Sequence, residues 1–357
     1  MSTSAFPKII DPVYKPGTPI SRVGNFFLRF ITDERDLPFV RLCSIICLTT
    51  IPAAIYLFIA EEFNWWLALI YFLYNSIFLM GPYILMLHNV SHRMFFKRKF
   101  NFLNRAVTWI FGPLFGETPE SYFAHHLGMH HPENNLSEDL SSTMKFQRDS
   151  FFDFMRYFIK FFVFIVPDLS TYLKKNKRER ILKRFLIGES IWYILIIVLM
   201  LLNWKATLVV FVIPVIFTRF MMMAGNWAQH AFIDLNAPNN CFRNSITCIN
   251  SSYNKKCFND GYHIGHHLHP SMHWTEMPVD FEKNISRYAE EKAIVFQKLD
   301  YFVIWFLLMT KNYKSLSKYF VDLSPEKSRT NTEIISMMKE RVRRFVPTAS
   351  QEAFHTS

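Results

Sequence analysis

The sequence predicts an all-α integral membrane protein, with four transmembrane helices in two hairpins and a cytoplasmic helical cap that holds a di-metal histidine site. Three observations predict it. Four stretches are long and apolar enough to span a bilayer, the joint within each pair is short, and nearly all histidines cluster just outside these stretches.

A spanning helix needs about 20 mostly apolar residues to cross a hydrocarbon core roughly 30 Å thick. Residues 42–60 (LCSIICLTTIPAAIYLFIA), 65–87 (WWLALIYFLYNSIFLMGPYILML), 185–202 (FLIGESIWYILIIVLMLL) and 206–224 (ATLVVFVIPVIFTRFMMMA) meet this requirement. No polar face interrupts them, which argues against buried helices of a soluble bundle. Pro52, Pro82 and Pro214 would be costly in soluble helices. They are tolerated in membrane helices, where neighbours satisfy the freed backbone groups.

Residues 61–64 and 203–205 have room only for turns, so each pair crosses and returns. Both termini then share one side with the segment 88–184. That segment carries sixteen of the 40 Lys and Arg, whereas only Lys205 lies in a short joint. Excess Lys and Arg mark the cytoplasmic face. The net charge of +11 therefore reads as topology and attraction to anionic headgroups. Basic residues flank spans and form no separate basic domain, which argues against a nucleic-acid partner.

The organisation expected is a cytoplasmic N-terminal segment (1–41), a membrane and catalytic domain (42–280), and cytoplasmic C-terminal helices with a loose tail at 346–357 (281–357). The N-terminal segment lacks the pattern of a secretory signal. Segments 102–115, 151–166 and 301–309 are apolar and aromatic but too short or too interrupted to span, and are expected to lie in the interface or against the cap. The five cysteines form no C-x-x-C pair and read as reduced and structural.

Twelve of the thirteen histidines fall in four clusters. These are His88 and His92; His125, His126, His130 and His131; His230; and His263, His266, His267, His269 and His273. Only His355 stands apart. Residues three or four apart on a helix share a face. His88 and His92 have that spacing, as do His126 and His130, and His263, His266 and His267 give i, i+3, i+4. His125 lies five residues from His130 and is off that face. Neighbours such as His130 and His131 diverge by roughly 100°, so one cluster can serve two centres. Zinc takes about four ligands, so nine imidazoles suggest two metals. Imidazole suits Zn, Cu, Fe and Ni alike and does not name the metal. The zinc-protease motif H-E-x-x-H is not met, because HNVSH has asparagine at the glutamate position.

The boxes His88-Asn-Val-Ser-His92, His126-Leu-Gly-Met-His130-His131 and His263-Ile-Gly-His266-His267, in this order around four spans, resemble the membrane fatty acid desaturase and hydroxylase superfamily. Asn226-Trp-Ala-Gln-His230 resembles the further histidine that some members carry after the last span. The resemblance covers roughly 40–280. It implies two Fe ions held by His88, His92, His126, His130, His131, His230, His263, His266 and His267, with Asn226 holding an iron through water. His125, His269 and His273 match no box position and read as supporting or structural. The spacing of the second box leaves the subfamily open.

The implied chemistry is oxidation of an unactivated C–H bond with O2 as co-substrate, a step that a cofactor carries and side chains alone do not. Loss of hydrogen from two adjacent carbons gives a double bond, and return of oxygen to one gives an alcohol. Desaturase is therefore the first reading and hydroxylase of a fatty acyl, alkane or other lipid the second. A transition-metal transporter is the competing class, but transporter sites lie near the bilayer midplane and these histidines lie outside the spans. A lipid or acyl substrate follows. No H-P-G-G box and no G-x-G-x-x-G are present, so the expected electron donor is external: cytochrome b5 or a ferredoxin, with its reductase. The resemblance points to the endoplasmic reticulum ahead of a bacterial inner membrane. Glu117, Glu120, Glu133, Asp139, Asp234, Asp260 and Glu276 are candidates to orient the imidazoles. Intramembrane charges are usually paired, so Glu189 and Arg219, at matching depths, are expected to touch.

Overall fold

The computed structural model describes residues 6–324 and 329–345. The tail expected over 346–357, with His355, lies outside the described residues. Three helices among these residues are long and apolar enough to cross a membrane: Glu34–Ile59, Trp65–His92 and Glu179–Gln229. Much of their apolar surface faces outward, with Leu201 84% and Trp66 77% exposed. Water would not stabilise such a surface, and lipid would.

The first two helices form a hairpin. Asn64 Oδ1 starts the second by accepting from the Leu67 amide at 3.0 Å, satisfying one of the orphan donors of a helix N-terminus. Inside the pair, Thr50 Oγ1 donates to buried Asn75 Oδ1 at 2.6 Å. The third helix spans 51 residues but breaks at Asn203, whose φ of −153° and ψ of 89° are extended. The chain reverses there. Trp192 and Phe211 would stand on the order of 28 Å apart along a straight helix, yet their ring centroids are 5.9 Å apart. Asn203 Nδ2 donates to the Phe58 carbonyl at 3.2 Å, tying this bend to the first hairpin.

Five π-helical turns interrupt the described helices, at Ile46–Thr50, Asn75–Leu79, Val107–Phe111, His126–His130 and Leu208–Val212. A proline follows each within three residues: Pro52, Pro82, Pro113, Pro132 and Pro214. Proline lacks an N–H and its ring crowds the carbonyl four residues back, which the wider π turn relieves. Pro167 lies inside Phe151–Lys175 without a π turn, so proline favours the widening without requiring it.

That helix is longer than the segment 151–166 read from the sequence. Ser150 caps it, and its buried residues continue past Pro167 to Leu169, Tyr172 and Leu173. Packing therefore holds the helix together beyond the proline. Phe154 packs against Trp227 and Trp305, with ring centroids at 5.5 and 4.9 Å. The expected short helix at Tyr301–Met309 is present.

The fold is mostly helical rather than all-α. Ile246–Ile249 pairs in parallel with Ile294–Gln297, Ile246 opposite Ile294. These are four-residue runs of largely β-branched or apolar residues, too short to separate from buried helix by periodicity.

A loop wedge positions the site. Gly116, at φ +80°, lies against the reversed half of the third helix, where a Cβ would sit 2.2 Å from the Pro214 carbonyl oxygen. Gly188 lies against the wedge from the other half, where a Cβ would sit 2.1 Å from the Pro119 carbonyl oxygen. The wedge explains why the expected Glu189–Arg219 ion pair does not form. Thr118 reaches Glu189 and donates to its Oε1, while the Arg219 guanidinium stands 5.8 Å from the Phe162 ring centroid.

Candidate metal centre

His88 and His92 occupy the last turns of Trp65–His92. His126 to His131 run through the π turn and into the short helix His131–Glu133. His230 follows Ile213–Gln229, and His263, His266 and His267 lie on His263–Leu268. These elements bring nine histidines into two groups: His88, His92, His126, His131 and His266, and then His130, His230, His263 and His267. Within each group the candidate ligand atoms all lie within 4.8 Å of one another.

The approach is through Nε2 in each case. In the first group His88 meets His266 at 2.8 Å, His92 meets His126 at 3.0 Å, and His131 meets His126 at 3.1 Å and His266 at 2.9 Å. In the second, His263 meets His230 at 3.1 Å and His267 at 3.0 Å. The groups adjoin, with the His131 and His267 ring centroids 5.1 Å apart.

Second-layer partners fix the rings. Asp260 Oδ1 lies 2.9 Å from His88 Nδ1, and Asp139 Oδ2 lies 2.7 Å from His130 Nδ1. His230 Nδ1 lies 2.9 Å from Asn244 Oδ1 and 3.0 Å from the Asn244 carbonyl. A proton held at Nδ1 by such an acceptor leaves Nε2 as a lone pair. Lone pairs facing each other near 3 Å repel unless a cation lies between them. Nitrogens at right angles about a metal, each at roughly 2.1 Å, stand roughly 3 Å apart. The donor set therefore fits metal ions.

Electrostatics favour the metal-ready state. Burial, then neighbouring imidazoles, pushes His126, His263, His266 and His267 well below the ordinary histidine value. Burial and the His130 ring bring His230 down to about 4. These five imidazoles are thus favoured in the neutral form that metal ligation requires. Burial pushes Asp139 up, but the His130 ring and hydrogen bonds outweigh it and hold the carboxyl below its usual range.

The structure divides the boxes differently from an α-helical reading. His126 and His130 do not serve one centre: the π turn sets His126 with His131, and His130 joins the other group. The third box divides as well, His266 going to the first group and His263 with His267 to the second. Of the seven candidate carboxylates, Asp139 and Asp260 orient histidines. Glu120 instead takes Trp109 and Arg184, Glu133 takes Tyr172, and Glu276 takes Arg35. Asp234 faces Arg243 and Arg341 at 3.6 Å, and Glu117 accepts from Ser121 at 3.3 Å. Asn244 was not legible as a partner, since no motif links it to a histidine fourteen residues earlier.

The remaining histidines lie outside both groups. His273 Nε2 stands 3.1 Å from Asp36 and its Nδ1 2.8 Å from Thr275 Oγ1, and His269 is exposed. His125 stacks on His130 with ring centroids 6.0 Å apart. Asn226 is anchored through Nδ2, which donates to Tyr157 Oη at 2.7 Å and to the Ser141 carbonyl at 2.9 Å.

A cavity of about 440 Å³ reaches the groups. His88, His126, His130, His263 and Asn226 line one part, and Ile84, Leu85, Phe161, Ile165, Leu169 and Met221 to Met223 line an apolar part. A largely apolar cavity of this size suits an alkyl chain.

The sequence matches the family described as Fatty acid desaturase over residues 64–319. No curated protein matches the chain.

Proposed function

Because the chain belongs to the fatty acid desaturase family, we propose that it is an O2-dependent di-iron desaturase that introduces a double bond into a lipid alkyl or acyl chain. The observation that carries this reading is the pair of adjoining all-histidine groups at the wall of a largely apolar cavity. Transition-metal transport, which favours midplane sites, fits neither the family nor this placement.

His88, His92, His126, His131 and His266 would hold one ion, and His130, His230, His263 and His267 the other, with Asn226 contributing through water. When bound, the two irons supply the O2-derived oxidation of an unactivated C–H bond. The protein's own residues do the rest. Asp260, Asp139 and Asn244 hold the rings in the tautomer that presents Nε2. Leu85, Phe161 and Met222 seat the chain so that chosen carbons face the histidines. Water is kept from the reacting carbons by the same apolar wall.

This reading has four crossings with the histidines on the cytoplasmic side, and the reversal at Asn203 within the long third helix supports it. The basic residues on that side suit an acidic electron donor, cytochrome b5 or a ferredoxin with its reductase. The endoplasmic reticulum is the favoured membrane. Hydroxylation would use the same residues, the outcome resting on how the chain sits.

Lipid profiling of cells with and without the chain tests this function. A new double bond in one lipid class is expected. A new hydroxyl would replace desaturase by hydroxylase, and an unchanged lipid profile beside altered metal uptake would overturn both.

A further inference from the structure

Beside the histidine groups, the cavity lining includes polar residues that neither group contains: Glu117, Ser121, His125, Glu189 and Arg219. They come from the wedge, from the turn before the second box and from both halves of the third helix, so the arrangement is built by tertiary packing.

Two of its buried polar atoms have no partner in the protein. Glu189 is 3% exposed; Thr118 donates to Oε1, and Oε2 is buried without a partner. His125 Nε2 is likewise buried and unpartnered. Arg219 makes no ion pair among the described residues and stands over the Phe162 ring. A buried polar group left unpaired is costly enough to need an explanation. A plain hydrocarbon chain would leave Glu189 Oε2 and His125 Nε2 unpaired.

The chemistry of the region narrows the ligand. Glu189 Oε2 accepts when ionised, Arg219 donates, and a neutral imidazole Nε2 does one or the other. The partner must therefore both donate and accept. A charge on either buried glutamate offsets the single arginine, which disfavours a carboxylate or phosphate as the partner. An uncharged hydroxyl or amide meets both conditions. The location is informative too, since the His125 ring centroid is 6.0 Å from that of His130. A group docked here lies beside the second histidine group.

We infer that the substrate carries a hydroxyl or amide group, docked among Glu189, His125 and Arg219, close along the chain to the carbon that is oxidised. This inference rests on the lipid-oxidising reading and names the substrate class for it: an amide-linked or hydroxylated lipid rather than a simple acyl ester or hydrocarbon.

The test uses full-length, iron-loaded protein in phosphatidylcholine nanodiscs. Two probes are titrated against tryptophan fluorescence: the N-methyl amide of β-hydroxyoctadecanoic acid, and methyl octadecanoate. The hydroxy-amide should bind at least about tenfold more tightly, because a site built to hydrogen-bond a polar group discriminates against an analogue lacking it. Glu189→Leu and, separately, Arg219→Met should bring the two affinities within about threefold, mainly by weakening the hydroxy-amide. Equal affinities in the wild type, discrimination that survives both variants, or parallel weakening of both probes would overturn the inference. Oxidised product is scored in the same samples with O2 and a reductant. Discrimination without product would remove the desaturase reading and keep the polar site; product without discrimination would do the reverse.

Discussion

His126 and His131 bring their Nε2 atoms to 3.1 Å across five residues of chain. An α-helix would set residues at that spacing well off a common face, since one turn takes about 3.6 residues. The π turn at His126–His130 brings them together and sends His130 to the neighbouring group. The division of the histidines between the two groups therefore depends on one widened turn.

Pro132 follows that turn as prolines follow the other four. Pro132→Ala restores an N–H and removes the ring that crowds the backbone. The turn should shift toward α, and His131 should rotate away from His126. Metal affinity at the first group should fall by about 10–100-fold, with the second group less affected. Metal titration of the variant checks this, and unchanged affinity at both groups would separate the π turn from the proline.

Asp139→Asn and Asp260→Asn keep side-chain size but lose the carboxylate that holds a histidine Nδ1 proton. Each should weaken metal binding by about 10–100-fold. Asp139→Asn should act on the group containing His130, and Asp260→Asn on the group containing His88. Chelator competition against each variant reads the effect, and loss from the opposite group would contradict the assignment.

Gly116→Ala and Gly188→Ala place methyl groups 2.2 Å and 2.1 Å from backbone carbonyl oxygens. Neither neighbour is a flexible side-chain end, so the wedge must move. Each variant should lose roughly 1–3 kcal/mol of stability. Thermal unfolding in detergent measures this, and an unshifted transition would mean that the wedge is not fixed by these contacts.

The metal-free protein should lose stability in acid. His230 has a folded value of about 4 against 6.5 ordinarily, so below 6.5 the unfolded chain binds the proton first. Stability is lost as the unfolded state takes up more protons. The contribution is complete above 6.5, declines as pH falls, and is gone below about 4. Unfolding midpoints of apo-protein across this window should drop with pH, and His230→Gln should flatten the drop.

The histidine clusters are legible from their spacing, and the nine histidines expected as ligands are those that lie together in the two groups. The first hairpin is legible from run length, and the chain reversal at Asn203 from the short Asn203-Trp204-Lys205 joint. The partition of the histidines is not, because it rests on a π turn, whereas the spacing of the second box matches an α-helical period. The proline after that turn was its available signal. Asn244 beside His230, the Thr118–Glu189 contact and the parallel strand pair each depend on segments that meet only in the folded chain. No local pattern announces them.

Metal analysis of the purified full-length protein tests the central claim most directly. The account predicts close to two irons per chain, falling to close to one when His130 and His267 are both replaced by alanine. One metal per chain in the wild type, or full zinc occupancy with no iron-dependent lipid oxidation after reconstitution, would contradict it.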